Sequence, residues 1–148
     1  MSFTHEVGDL FAHPAEAIAH GVNCKGVAGA GVAKVMKSRY PNAIHQYEVL
    51  ARRGDLPPGG AMICPQGPGD KTIIHCASQD NPGADATEEW LRSSLRVGLE
   101  LAVGHGISSV ALPLIGGGIG GLDPARAEQI IREEAEKSPL QVTLVTLS

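Results

Sequence analysis

The chain has 148 residues, of which 43% are hydrophobic and 19% charged, and its net charge is −4. This length and composition predict one globular α/β domain, spanning residues 1–148. An acidic chain has no basic surface for a nucleic-acid backbone, so we expect no general nucleic-acid binding, although recognition of one modified nucleotide stays compatible with it. No apolar run is long enough for a membrane span and the start, MSFTHEVGDLF, lacks signal-peptide regions, so we expect a cytoplasmic protein without membrane contact.

The cysteines and histidines point to no special chemistry of their own. Cys24, Cys64 and Cys76 share no C-x-x-C pairing, which favours reduced, mostly buried thiols. The six histidines do not adopt the spacing of a zinc site. We expect no metal and no cofactor, and we expect a monomer.

The first half of the chain alternates strand and helix patterns. Residues 17–23 predict a buried strand, residues 29–40 a helix that Pro41 ends, and residues 42–54 a helix with Gly54 as C-cap. Residues 61–66 and 71–78 then predict two short strands in a hairpin.

The second half continues the alternation. After a surface loop at residues 79–86, Asp85 and Glu88 have capping-box spacing ahead of a long amphipathic helix. Residues 108–115 are apolar throughout, as in a central strand, and Asp123 predicts the N-cap of a helix that runs to about Lys137. Residues 140–147 predict a last strand, so the whole pattern indicates an α/β layered sheet.

Two glycine-rich loops, residues 23–33 and 115–121, follow predicted strands and precede predicted helices. In an open α/β sheet, ligands bind outside the carboxyl ends of the strands, and glycine loops present backbone N–H groups to anions. The two loops together therefore predict a site for one extended ligand with a pyrophosphate. The alternative is that each glycine cluster only serves a tight turn.

Gly116, Gly118 and Gly121 have the G-x-G-x-x-G spacing of dinucleotide-binding turns. That motif should open the first βαβ unit and precede an acidic residue about 20 positions on, whereas here it lies in the last unit. No P-loop motif occurs either. A nicotinamide oxidoreductase is thus a weak hypothesis, which would need both tight NAD binding and an identified hydride acceptor.

Four segments together resemble the macrodomain family: GDLF, IAHGVNCKGVAGAGVAKVMKSRYP, IIHCAS and VALPLIGGGIGGLD. They are most similar to the branch with terminal ADP-ribose protein glycohydrolase, yeast-type ADP-ribose-1″-phosphate phosphatase and DNA ADP-ribosyl hydrolase antitoxins. The resemblance implies a three-layer α/β/α fold with a mixed, largely parallel sheet, and ADP-ribose or ADP-ribosylated protein or DNA as partner. It implies that Asp9 follows the first strand and binds adenine, although a lone turn aspartate is the alternative.

The resemblance also implies where the rest of the ligand lies. Asn23, Gly29 and Gly31 would follow the distal ribose, and the second loop would wrap the diphosphate and ribose. The resulting candidate ligand contacts are Asp9, Leu10, Asn23, Gly29, Gly31, Val32, Ser78, Gly116, Gly117, Gly118, Ile119 and Gly120. Because Asp123 caps the next helix, we expect the pyrophosphate on loop N–H groups before it.

Catalytic residues match the branch less well. Its glycohydrolases use a lysine just after the strand that matches IIHCAS, and Gln79 stands there; the aspartate of the protein hydrolase is replaced by Gly120. His20, a histidine shared with relatives, could orient water with a pKa in the useful range, or be a structural residue at a strand end. Asp80 and Asp85 could serve as a base or merely solvate their loop.

The preferred activity is hydrolysis at the 1″ position of the distal ribose, with Asn23 orienting the ribose and either His20 or a substrate phosphate positioning water. The alternative is a non-catalytic module that recognises ADP-ribose on a partner, which Gln79 favours.

Overall fold

The computed structural model describes residues 2–147, so the outermost residues of the predicted domain, Met1 and Ser148, lie outside it. The strands are β1 (Ser2–Val7), β2 (Ala17–Val22), β3 (Ala61–Cys64), β4 (Thr72–Ala77), β5 (Ser109–Leu112) and β6 (Gln141–Thr146). The helices are α1 (Gly31–Arg39), α2 (Pro41–Arg52), α3 (Glu88–Gly104) and α4 (Pro124–Glu136), with one 3₁₀ turn at Leu10–Ala12.

The strands form one sheet in the order β1-β6-β5-β2-β4-β3. All neighbours are parallel except β3, which pairs antiparallel with β4 in the predicted hairpin. The four strands β6, β5, β2 and β4 are mostly buried on both faces, because helices cover each side. The mixed, largely parallel sheet is confirmed.

Each face of the sheet carries its own hydrophobic cluster. One cluster joins alternate residues of the strands to α3 and α4 through side chains such as Leu95 and Ile130. The other joins the opposite residues to α1 and α2 through Met36, Ile44 and Tyr47. Alternation along each strand thus separates the two layers, which gives the predicted α/β/α order.

Two strand predictions need correction. The predicted strand 108–115 ends at Leu112, because Pro113 has no N–H for the ladder and the N–H of Ile115 donates to the carbonyl of Pro113 at 2.7 Å. The apolar pattern did not predict β1, which pairs with β6 from Ser2 to Val7; only the family resemblance implied a strand before Asp9. This edge strand is mostly exposed, so it lacks the apolar run that identifies the central strands.

The helix caps are partly as predicted. Gly54 follows α2 with φ +78°, and Asp55 N–H donates to Leu50 O at 3.0 Å, which is a glycine C-cap. Asp123 caps α4 by accepting from the N–H of Arg126 at 3.1 Å. The capping box of Asp85 is wrong, since the N-cap of α3 is Thr87.

Candidate functional site

A cleft of about 890 Å³ opens along the carboxyl edge of the parallel strands. Its walls come from the segments that follow β1, β2, β4 and β5 and from the end of β6. This volume lies in the range of sites for drug-sized ligands and cofactors. Both glycine-rich loops line it, as do all the candidate ligand contacts: Asp9, Leu10, Asn23, Gly29, Gly31, Val32, Ser78, Gly116, Gly117, Gly118, Ile119 and Gly120.

The strand order fixes the order of residues along the cleft. Asp9 follows the edge strand β1, and Gln79 follows β4, four strand positions away. With neighbouring strands about 4.8 Å apart, these two ends are separated by about 19 Å. The two glycine loops follow β2 and β5, which lie between the ends. The cleft therefore suits an elongated ligand.

Asn23 is locked in place by its own loop. Its Oδ1 accepts from the N–H groups of Lys25 at 3.0 Å and Val27 at 3.3 Å, and its Nδ2 donates to Val27 O at 2.9 Å. The buried Tyr47 hydroxyl lies 2.9 Å from Oδ1 and 2.8 Å from the carbonyl of Asn23. Since no residue in 2–147 pairs with the second Nδ2 hydrogen, that donor remains for a ligand.

The amino terminus of α1 also faces the cleft. Ala30 is its N-cap and supplies no side-chain hydrogen bond, so the N–H groups of Gly31, Val32 and Ala33 lack helical partners. These three residues line the cleft. Unpaired N–H groups and the positive end of the helix dipole attract an anion. From the sequence we expected residues 31–33 to donate as part of a glycine loop, whereas in the structure they form the first turn of α1.

The second glycine loop contains glycines with different tasks. Gly116 and Gly121 have φ of +82° and +83°, so both need glycine for backbone reasons. Gly118 has no positive φ, so its backbone conformation does not require glycine. A Cβ on Gly118 or Gly29 would meet no atom within 4 Å, so these two glycines leave cleft space open.

His20 lies below the cleft and does not line it. Its ring is fully buried, and its Nε2 lies 2.7 Å from Nδ1 of His75, whose Nε2 donates to Ala43 O at 3.0 Å. Burial, with repulsion from His75, holds the pKa of His20 well below 6.5. The expected pKa near neutrality is therefore wrong, and the geometry favours the structural alternative for His20.

Comparison with known proteins identifies the family. The Macro domain model matches residues 19–131. The chain belongs to the Macro domain family. Its relatives include the DNA ADP-ribosyl glycohydrolase of Mycobacterium tuberculosis, 32% identical over 138 residues, and the ADP-ribose glycohydrolase OARD1 of Bos taurus, 25% identical over 145 residues.

The coverage of these relatives differs. The chain covers 91% of the Bos taurus protein, and 97% of the chain takes part in that match. The match with the Mycobacterium tuberculosis glycohydrolase takes in 92% of the chain but only 39% of that longer protein. The solved macrodomain of Mycobacterium tuberculosis DarG matches with a TM-score of 0.91 and 29% identity, and 99% of each chain is covered.

In this macrodomain Asp9 stands at the β1 end of the cleft. Its Oδ1 accepts from the N–H of Phe11 at 2.9 Å, which leaves its other carboxylate oxygen for a ligand. The Phe11 ring and the Arg39 guanidinium lie beside it in the cleft wall, with the guanidinium carbon 5.3 Å from the ring centre. Sequence reasoning did not select Phe11 or Arg39, because they belong to segments 28 residues apart.

At the other end of the cleft lie Ser78 and Gln79. Ser78 is buried, and a Cβ on Gly21 would approach its Oγ to 2.9 Å, so Gly21 allows close contact between β2 and this segment. Gln79 donates both hydrogens of Nε2 to backbone carbonyls, those of Asn81 at 2.6 Å and Gly83 at 2.7 Å. The amide at the position of the family lysine thus has a defined set of partners.

The remaining candidates have mostly structural surroundings. Asp85 accepts from the N–H groups of Asp80 and Asn81. Cys24, Cys64 and Cys76 are buried as expected, and burial raises the pKa of Cys24 to about 11, so it is a thiol at neutral pH. Within residues 2–147, no cluster of His, Cys, Asp or Glu could hold a metal ion, and no helix is long and apolar enough to cross a membrane.

Proposed function

We propose that the cleft binds ADP-ribose and ADP-ribosyl groups, and that the chain hydrolyses the bond at the 1″ carbon of the distal ribose. The observation that carries this proposal is the elongated cleft between Asp9 and Gln79, with two glycine loops and an uncapped helix terminus at its middle. The names of the Mycobacterium tuberculosis and Bos taurus relatives support the substrate class.

Each part of the ligand has a matching part of the cleft. Adenine occupies the end with Asp9, whose free carboxylate oxygen accepts from the exocyclic amino group. The diphosphate occupies the middle, where the N–H groups of residues 31–33 and of the second glycine loop are donors. The distal ribose then reaches Asn23, and the free Nδ2 hydrogen donates to a ribose hydroxyl.

Hydrolysis requires water to attack C1″ while the bond from C1″ to the target breaks. The positive charge that develops on the ribose is stabilised by the neighbouring diphosphate, and Asn23 keeps the ring in a fixed orientation. The ionisable side chains that line the cleft within residues 2–147 are Asp9 and Arg39, both at the adenine end. The proton of the water therefore passes to the leaving group or to solvent.

A second candidate function is recognition of ADP-ribose without turnover. The observation that favours it is Gln79, whose amide can neither take up a proton nor form a Schiff base. In such a module the same cleft would bind the ADP-ribosyl group of a partner and leave the target bond intact.

One experiment separates the two functions. The protein is incubated with ADP-ribosylated protein, ADP-ribosylated DNA and ADP-ribose-1″-phosphate, and product release is followed while calorimetry measures ADP-ribose affinity. Turnover of any substrate supports hydrolysis. If the protein binds ADP-ribose but turns over none of the three substrates, the recognition function is supported. If it does not bind ADP-ribose, both proposed functions are overturned.

We further propose that the protein acts as a monomer in the cytoplasm. The three buried thiols fit a reducing compartment. Light scattering after size exclusion and cell fractionation test these two points.

A further inference from the structure

Residues 79–86, which we call the bridging loop, connect the two glycine loops of the cleft. The N–H of Cys24 in the first loop donates to Asp80 O at 2.9 Å. The N–H of Ala86 donates to Gly120 O in the second loop at 3.2 Å. The bridging loop therefore has a backbone hydrogen bond to each wall at the distal end of the cleft.

The bridging loop is held in its shape from two sides. Gln79 donates through Nε2 to Asn81 O at 2.6 Å and to Gly83 O at 2.7 Å, which draws the far half of the loop back to its start. Asp85 accepts through Oδ2 from the N–H of Asn81 at 2.8 Å and of Asp80 at 3.2 Å. Residues 81–84 are exposed, so hydrogen bonds and not hydrophobic packing hold the shape of the loop.

The second glycine loop packs directly on the bridging loop. A Cβ on Gly121 would come within 2.8 Å of Ala84 Cβ, and one on Gly120 within 3.0 Å of Ala86 Cβ. At these separations the two backbones move together, because no gap remains between them. A change in the bridging loop is thus transmitted to Gly120, which lines the cleft.

We propose that Gln79 is a positioning residue, which holds the bridging loop and through it the two glycine loops around the distal ribose. This assignment rests on the proposed function, since it concerns the same cleft. It gives the residue at the lysine position a task in ligand affinity, with no part in proton transfer. The two N–H donors are what the task requires, because both partners are carbonyl oxygens.

Three variants of Gln79 distinguish the effect of its two N–H donors from the effects of side-chain size and charge. Gln79→Glu has nearly the same shape but turns carboxylate oxygens toward two carbonyls, whereas Gln79→Ala removes the contact. Gln79→Lys restores N–H donors on a flexible chain. The matched control is Gln66→Glu, because Gln66 also donates Nε2 to a backbone carbonyl, that of Cys64 at 3.0 Å, and does not line the cleft.

The first measurement is backbone hydrogen exchange of the unliganded protein. We expect exchange within residues 79–86 and 116–121 to be ~10-fold faster in Gln79→Ala and Gln79→Glu, since each loses two hydrogen bonds. Gln79→Lys and Gln66→Glu keep wild-type rates there. Unchanged exchange in Gln79→Ala overturns the proposal, whether or not the protein binds ADP-ribose.

The second measurement compares affinity for ADP-ribose with affinity for ADP, which lacks the distal ribose. We expect Gln79→Ala and Gln79→Glu to bind ADP-ribose ~10-fold more weakly and ADP within about threefold of wild type. Equal losses of affinity for both ligands overturn the proposal. Wild-type protein that binds neither ligand overturns the proposed function, and the exchange rates still decide the role of Gln79.

Discussion

Single residues in the second glycine loop differ in what they contribute. Gly118 leaves cleft space open, whereas Gly116 has φ +82° and a Cβ there would lie 2.9 Å from Leu122 Cδ1. We expect Gly118→Val to abolish ADP-ribose binding without loss of stability, because the new side chain fills the cleft. Gly116→Val should lower the free energy of unfolding by roughly 2 kcal/mol through backbone strain and crowding. Urea denaturation measures the stability of the two variants, and calorimetry measures their affinity for ADP-ribose. A Gly118→Val variant that is less stable than wild type would contradict the expectation that Gly118 only leaves space for the ligand.

Asp9 combines a local and a ligand-binding task. One oxygen caps the 3₁₀ turn through the N–H of Phe11, and the other is free. Asp9→Ala should weaken ADP-ribose binding by about 1–3 kcal/mol, because the adenine amino group loses a charged acceptor. Asp55→Ala, which removes an exposed partner of Arg53, is the control and should leave calorimetric affinity unchanged. Equal affinity of Asp9→Ala and wild type would remove Asp9 from the site.

Residue types and spacing could predict where the glycine loops lie, but not how single side chains are paired. Asn23 and Gln79 were candidates from the sequence, and both line the cleft. The position of His20 depends on His75 and Ala43, which lie 55 and 23 residues further along the chain. A contact over such distances leaves no local pattern, so the burial of His20 could not be read from its neighbours.

At the scale of elements, the start of α3 gives a direct test of capping. Thr87 Oγ1 accepts from the N–H of Trp90 at 3.1 Å. Thr87→Ala should lower the free energy of unfolding by about 1 kcal/mol, whereas Thr87→Ser retains the acceptor and most of the stability. Urea denaturation measures the difference. Equal stability of Thr87→Ala and wild type would mean that another group satisfies this N–H.

Elements with a strong apolar pattern were predictable, and those without one were not. The strands β2, β3, β4 and β6 and the helices α1 to α4 were all identified, because apolar runs and turn residues mark them in the sequence. The edge strand β1 exposes all of its residues except the half-buried Phe3, so no apolar pattern marks it. The apolar run predicted that β5 continues to residue 115. The strand ends at Leu112 because Pro113 has no N–H for the sheet, and Pro113 could have been read from the sequence as this limit.

For the molecule as a whole, the buried histidine pair sets a pH dependence of stability. Burial lowers the pKa of His75 to about 4, and His20 is shifted in the same direction. An unfolded histidine has a pKa of about 6.5, so the unfolded chain binds more protons between these values and stability falls as pH falls. From pH 7.5 to 5 the loss that His75 contributes should be about 2 kcal/mol, and His20 adds a loss of the same sign.

Urea denaturation across this range checks the effect before most carboxylates titrate. His75→Gln keeps an N–H donor and should flatten the profile. The control His105→Gln changes an exposed histidine and should leave the slope as in wild type. A wild-type stability that is constant from pH 7.5 to 5 would contradict the burial of a neutral pair.

The parallel topology also places a second set of connecting segments on the side of the molecule opposite the cleft. Since the ligand-facing segments follow the carboxyl ends of parallel strands, the connections at residues 13–16, 65–71, 105–108 and 137–140 lie at the opposite edge. The turn at residues 67–70 is exposed and does not border the cleft. A fluorophore or surface anchor inserted in that turn would point away from bound ADP-ribose. The fold thus offers a site for building an ADP-ribose sensor or capture reagent.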